Sequence, residues 1–363
     1  MLFTSTRTDV GCQMPVNQSQ RFLGIQALRI VAAGMVVFTH STYYASERLD
    51  KDFFVWQRGT RGVDIFFVIS GFVMVYASQK LFAYPNGWKD FAERRILRIV
   101  PLYWLITTLK VLIVLLTAGF ALHTKLSPIT AACSYLFLPA RNLDGKIEPL
   151  VGVGWTLTFE MLFYFLFTLA LFMRKNVFQF VGVILAILSI GAYFRQPSWP
   201  PIAFYLNSIV LEFFLGMLIA KACINGIYLP RKTVFWLLAC GFILLLFPAF
   251  ESNVPKVLIS GLPASLIVWS AASLGRLENF IPRIVLYLGD ASYSIYLIHP
   301  FVCPLPPTVL NRLHLDYPWL SVVLSLAMGL GVGCLLHQFV EIPMTNWLKG
   351  HLKGRNRLVP ARA

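Results

Sequence analysis

The sequence predicts an all-α fold: a polytopic membrane bundle of about ten transmembrane helices with both termini in the cytoplasm. Three observations predict it. Hydrophobic residues fill 57% of the 363 positions and charged residues only 13%, with Phe alone occurring 30 times. A soluble domain carries about 25% charged residues and could not bury that much apolar surface. The apolar residues also fall into about ten runs, each near the roughly 20 residues that a helix needs to cross about 30 Å of hydrocarbon. Finally, Lys and Arg gather in the short links between runs, as membrane topology requires.

The runs are 22–42, 62–79, 99–120, 152–173, 177–194, 201–220, 233–250, 255–274, 284–303 and 318–340. None alternates as a barrel strand would, and lipid leaves backbone groups no partner outside their own segment, so each run is a helix. Residues 1–21 are mostly polar, lack an apolar h-region, and read as a lead-in rather than a cleaved signal peptide. Residues 22–348 form one membrane domain without an internal repeat, and 349–363 form a basic cytoplasmic tail. The longest link, 121–151, holds an apolar piece from Ile129 to Pro139 that is too short to cross and reads as a re-entrant or surface element. With the N-terminus inside, the inner segments hold 19 Lys and Arg and the outer segments 10. That bias places both termini in the cytoplasm.

The net charge of +15 is explained by these flanks, so it does not signal nucleic acid. The six Cys show no metal spacing and mostly sit inside apolar runs, where they act as small hydrophobes.

An ionisable side chain deep in a span costs at least ~2.5–3.5 kcal/mol, so each needs a reason. The candidates are Arg29, His40, Asp64, Lys110, Glu160, Glu212, Asp290, His299, His337 and Glu341. Any one of them taken alone is equally explained as a structural pair or a snorkelling group. Their depths say more. Arg29 and His40 are eleven residues apart, about three turns and about 16 Å of rise, so they share one face. Arg29 then lies toward the inner half and His40 toward the outer end. Arg61 and Asp64 begin the second span at the outer surface, Glu160 lies two turns below it, and the ninth span ends near His299. His40, Asp64, Glu160 and His299 therefore converge by depth in the outer third. At the other face, FAERRILRIVPLYW (91–104) places Arg94, Arg95 and Arg98 where the chain enters the third span. Arg95 and Arg98 share a face. Their forks suit phosphate, although an ordinary positive-inside flank has the same pattern.

Six motifs in order across most of the chain resemble the acyltransferase-3 family of integral-membrane acyltransferases, and within it the bacterial enzymes that O-acetylate exopolysaccharides of the succinoglycan type. They are Arg29–x10–His40 within IQALRIVAAGMVVFTH, GVDIFFVISGF (62–72), Arg95–x–x–Arg98 followed by Pro101 and Tyr103, WTLTFEMLFY (155–164), LGDASYSIYLIHP (288–300) and FVEIP (339–343). The resemblance implies a ten-span core and transfer of an acyl group, usually acetyl, from cytoplasmic acetyl-CoA or another acyl-CoA to a glycan hydroxyl. It implies that His40 is the central catalytic residue, that Glu160 supports it, and that Arg95 and Arg98 help bind the CoA donor. Arg29 is required in the family and is grouped with the donor side. Arg61, Trp155 and His299 are grouped with the acceptor. The implied setting is the bacterial inner (cytoplasmic) membrane, with a glycan, either polysaccharide or lipid-linked, as the partner.

The chemistry fits these residue types. A histidine with a free pKa of about 6.5 suits a base acting on a sugar hydroxyl, and a carboxylate would orient its ring. Glu160 is the first candidate for that carboxylate and Asp64 the second. His40 carrying the acyl group transiently is a second route. CoA is multiply anionic, so its head stays with the inner arginines while its arm reaches up the bundle. The competing reading is a transporter or flippase for a glycan or small polar solute, since buried charges also mark translocation paths. Lys110, Glu212 and Asp290 read as structural or minor lining groups, His337 and Glu341 as a cap on the inner end of the last span, and GLGVG (329–333) as helix packing. No metal-ligand cluster is visible.

Overall fold

The computed structural model describes residues 22–82, 84–116, 127–247 and 255–357, with backbone only for Arg276 and 352–357. The polar lead-in, the end of the basic tail, the 121–126 part of the longest link with His123, and the tips of the third and seventh runs lie outside the described residues.

The described chain is all-helical. Its helices are α1 (Leu23–Arg48), α2 (Gly62–Ala77), α3 (Gly87–Leu116), α4 (Pro128–Tyr135), α5 (Trp155–Phe172), α6 (Val177–Gly191), α7 (Val210–Ile224), α8 (Arg231–Leu246), α9 (Leu262–Ala272), α10 (Arg283–Val302), α11 (Leu305–Arg312), α12 (Pro318–Leu336) and α13 (Ile342–Arg357). Extended pairing among the described residues is limited to one bridge, Arg141 with Ile147. Every apolar run contains a helix. Among the described residues, five helical stretches are long and apolar enough to cross a membrane: Leu23–Arg48, Gln57–Ala77, Gly87–Leu116, Gly152–Phe172 and Pro318–His351. The others are shorter or less apolar. The sixth run begins as a 3-10 turn, Pro201–Tyr205, and becomes α-helical only at Val210. The eighth opens with a π turn, Val257–Gly261.

Polar groups set several helix ends. Asn176 accepts from the amides of Phe178 and Gln179 and so starts α6. The first turn of α1 lacks a local cap; the Gly24 amide instead donates to Glu278 Oε1 at 3.1 Å, from the turn before α10. Arg58 Nη1 donates to Leu246 O at 2.7 Å, and Arg61 donates to Leu245 O, which closes the carboxyl end of α8. Cations there also oppose the helix dipole. Arg48 reaches Pro304 O at 2.9 Å and Thr308, anchoring the short α11 that the proline-rich sequence did not announce.

The bundle is knit by close backbone approach and by aromatic rings. A Cβ on Gly71 of α2 would lie 1.9 Å from Phe213 O of α7, and one on Gly216 would lie 2.0 Å from Val68 O. Hydrocarbon supplies no hydrophobic drive between helices, so such small-residue contacts hold them together. Phe213 packs against Phe67 and Phe163 with ring centroids 4.6 Å apart in each pair. GLGVG of α12 lies against α10, as its composition suggested. Thr130 of α4 and Asn142, Glu148 and Leu150 of the chain that follows it line one cavity with Tyr43 and Tyr44 near the end of α1.

Candidate active site

His40 sits in the last third of α1. Its Nδ1 lies 2.9 Å from Val36 O. A carbonyl can only accept, so Nδ1 carries the proton and Nε2 keeps its lone pair. His299 of α10 is fully buried, and its Nε2 lies 3.3 Å from the same Nδ1, so it takes a longer share of that proton. The two rings stand 4.9 Å apart. His40 lines a cavity of ≈ 830 Å³ at the end of the bundle that the sequence reading places outermost, hence the outer cavity, whose other walls include Tyr43, Tyr44, Lys110, Glu148 and Trp155. Trp155 is braced edge-on against Phe67 at 6.3 Å. Tyrosine, tryptophan and mixed charges around a roomy cavity suit a polar molecule with apolar faces, such as a sugar.

A second, smaller cavity of ≈ 150 Å³ lies deeper. Arg29, Arg95, Arg98, Glu160, Ser70 and Tyr164 line it. Glu160 Oε1 accepts from Ser70 Oγ at 3.1 Å and from Tyr164 OH. Tyr293 OH donates to Ile99 O at 2.8 Å along the same wall. Ser292, also lining it, is fully buried and its Oγ has no hydrogen-bond partner. Val63 and Tyr296 line both this cavity and the outer one.

A third cavity of ≈ 530 Å³ opens at the other end of the bundle, between α3 and the last helical stretch. Arg94, Arg95, Arg98 and Lys349 line it, with Asp90, Glu93 and Glu341. Arg95 and Arg98 thus belong to both this mouth and the middle cavity. Glu341 is held by His337 Nδ1 at 2.7 Å and Ser294 Oγ at 2.6 Å. A π turn, His337–Glu341, brings it there; such turns recur at functional sites.

The residues singled out from sequence are thus distributed over separate places. Arg29, Arg95 and Arg98, grouped in the sequence reading, come together, and Glu160 joins them rather than His40. Glu160 follows Trp155 by five residues, which rotates it about 140° and lowers it about 7.5 Å along α5. Trp155 therefore faces the outer cavity and Glu160 the middle one. Asp64 is fully buried elsewhere, 3.4 Å from Lys256 Nζ and beside Glu212. Arg61 closes α8. Of the four groups expected to converge, His40 and His299 meet.

Lys110 lines the outer cavity, with its Nζ 5.9 Å from the Phe301 ring. The apolar run began at 99 and put Lys110 at mid-membrane, but α3 begins at Gly87, which carries Lys110 toward its far end. Tyr164 went unnoticed, although its place one turn after Glu160 was a usable signal. Ser292, Val63 and Tyr296 carried no signal of their own. Among the described residues no group of three or more His, Cys, Asp or Glu could hold a metal ion.

Comparison with known proteins shows the family. The acyltransferase domain family matches residues 22–338. The chain is 33% identical over 329 residues to the exopolysaccharide production protein ExoZ of Rhizobium meliloti (strain 1021), covering 88% of this chain and 97% of that protein. It is 26% identical over 369 residues to the putative peptidoglycan O-acetyltransferase YrhL of Bacillus subtilis (strain 168), covering 90% of this chain and 55% of that protein. The chain therefore spans about half the length of that second relative. No solved structure matches it. An all-helical chain with apolar spans, matched over nearly its whole length in this way, is an acyltransferase and belongs to the acyltransferase-3 family.

Proposed function

We propose that the protein is an inner-membrane O-acyltransferase that moves an acetyl or other short acyl group from cytoplasmic acyl-CoA to a hydroxyl of an exopolysaccharide or its lipid-linked precursor. The observation that carries the reading is the series of three cavities with shared walls: a cationic mouth, a narrow polar middle and a roomy outer chamber ending at His40. In this reading all ten apolar runs span the membrane and both termini are cytoplasmic, so the mouth opens to the cytosol.

The cationic mouth suits a phosphate-bearing donor, since Arg94, Arg95 and Arg98 present forks that bind phosphate bidentately. The donor's arm extends along the middle cavity, where the unpartnered Ser292 hydroxyl suits an amide. Arg29 and His40 differ in level by about 16 Å, within the ~30 Å of hydrocarbon. His40 Nε2, left as the lone-pair nitrogen by the Val36 carbonyl, accepts the proton of the sugar hydroxyl. The sugar oxygen attacks the thioester carbonyl and the tetrahedral species forms. The C–S bond then breaks, the ester C–O bond remains, and the CoA thiolate leaves as a thiol with the proton returned from the imidazolium. His299 positions His40, and Glu160 holds Tyr164 and balances the arginines of the donor path. The glycan character of the acceptor rests on the outer chamber's lining and on the names of the two relatives.

Membranes containing the protein, given acyl-labelled CoA and acceptor glycan, should transfer label to glycan. His40→Ala should abolish transfer while the protein remains in the membrane. Transfer that survives His40→Ala would overturn the mechanism, and wild-type membranes that move no label would overturn the reaction.

A further inference from the structure

We infer that Val63 and Tyr296 form the neck through which the acyl group reaches His40, and that they select its bulk. The inference rests on the proposed acyl transfer and adds the residues that limit the donor.

The two residues are walls of both the donor-side and the outer cavity. An acyl-CoA arriving from the cationic mouth presents its acyl end first, so whatever is attached to the thioester carbonyl must pass between them before the carbonyl meets His40. Neither residue yields easily. Tyr296 is 6% exposed, and its hydroxyl bonds Val153 O at 3.2 Å and Thr156 Oγ1 at 3.1 Å. Its ring also rests edge-on to Phe66 at 6.0 Å and lies 5.8 Å from His299. Val63 is 5% exposed in the first turn of α2, and a β-branched side chain in a helix has one strongly preferred rotamer. Tyr296 lies one turn before His299 on the same face of α10, so the neck is within a turn of the histidine pair. On the donor side there is little room to store a bulky group: ≈ 150 Å³, against ≈ 830 Å³ beyond the neck. A flat, narrow acetyl group fits such a passage, whereas an acyl group branched next to the carbonyl is wider than the arm that follows it.

The test is a donor panel of acetyl-, propionyl- and isobutyryl-CoA with wild type, Val63→Ala, Val63→Ile and Tyr296→Phe. Val63→Ala should raise the isobutyryl-to-acetyl ratio of kcat/KM about 10-fold or more, the scale set by a methylene-sized change in a selecting pocket. Val63→Ile should lower the propionyl-to-acetyl ratio. Tyr296→Phe keeps the ring and should keep wild-type ratios even where its overall rate falls. Ratios that stay at the wild-type value in both Val63 variants would overturn the inference while leaving the acyl transfer intact. Wild type inactive with every donor would instead overturn the transfer. The two Val63 variants move the neck in opposite directions, so a folding defect in one leaves the other as the test.

Discussion

His40 and His299 meet between α1 and α10, Nδ1 to Nε2 at 3.3 Å, while the Val36 carbonyl sits 2.9 Å from that same Nδ1. The backbone and a second imidazole thus do for His40 what a carboxylate does in a Ser-His-Asp triad: they hold one tautomer and one ring orientation. Neither partner is a carboxylate, which suits a site inside the bundle, where an unpaired carboxylate would be costly.

If His299 positions His40, His299→Leu should lower kcat by about 10-fold to 100-fold, at the lower end of what a general base contributes. KM for acyl-CoA should stay near wild type. His299→Gln keeps a hydrogen-bonding group at that place and should recover part of kcat. Equal rates in the Leu and Gln variants, or a change confined to KM, would remove the positioning role.

Glu160 lines the middle cavity, which the proposed reaction assigns to the donor, and accepts from Tyr164 and Ser70. Glu160→Gln should raise KM for acyl-CoA about 10-fold, the scale of one lost charge-assisted hydrogen bond, and leave the pH dependence of kcat unchanged. Tyr164→Phe should act in the same direction more weakly. An altered pH profile of kcat in Glu160→Gln would return the carboxylate to His40.

The helices were legible because a chain in lipid has few alternatives: apolar runs near 20 residues must become helices. That Arg95 and Arg98 share a face was legible because three arginines crowd one helix entry, and both line the same two cavities. Order along a single helix was legible too, since each residue rises 1.5 Å. Azimuth was not. His40, Asp64 and Glu160 were ranked at one level, yet helix rotation sends Asp64 to Lys256 and Glu160 to Tyr164. Helix packing order, which decides azimuth, depends on contacts such as Gly71 on Phe213 that composition does not announce. Arg61 illustrates the same limit: its number placed it at the outer surface, but only the fold shows the end of α8 within its reach.

Arg61 and Arg58 should therefore matter for stability more than for the acceptor. Arg61→Ala should cost about 1 kcal/mol, the scale of a cation closing a helix carboxyl end, and lower the melting temperature of the solubilised protein by a few degrees. KM for the acceptor glycan should not move. A large rise in that KM with unchanged melting would restore Arg61 to the acceptor site.

Glu278 gives a pH dependence outside the spans. Burial raises its carboxyl above the usual 4.5, although backbone amides including that of Gly24 pull the other way. The folded protein therefore binds this proton more tightly than the unfolded chain does. Its contribution to stability is fullest below the usual value and declines as pH climbs through the raised one. Glu278→Gln should flatten that decline, so the difference in melting temperature between variant and wild type should shift in the variant's favour from pH 4 to pH 7. A difference constant across that range would show that burial does not govern this carboxyl.

The α2–α7 contact sets a sharp contrast between two glycines. A Cβ on Gly71 would stand 1.9 Å from a backbone oxygen of α7, whereas one on Gly34 of α1 meets nothing within 4 Å. Overpacking a side chain costs about 1–3 kcal/mol when neighbours can shift; here the neighbour is backbone, so the helices must separate. Gly71→Ala should thus abolish recovery of monodisperse protein from membranes. Gly34→Ala should be neutral or stabilising by up to about 1 kcal/mol, because it removes only the glycine's extra freedom in the unfolded chain. Normal recovery of Gly71→Ala would mean that α2 and α7 do not pack backbone to backbone.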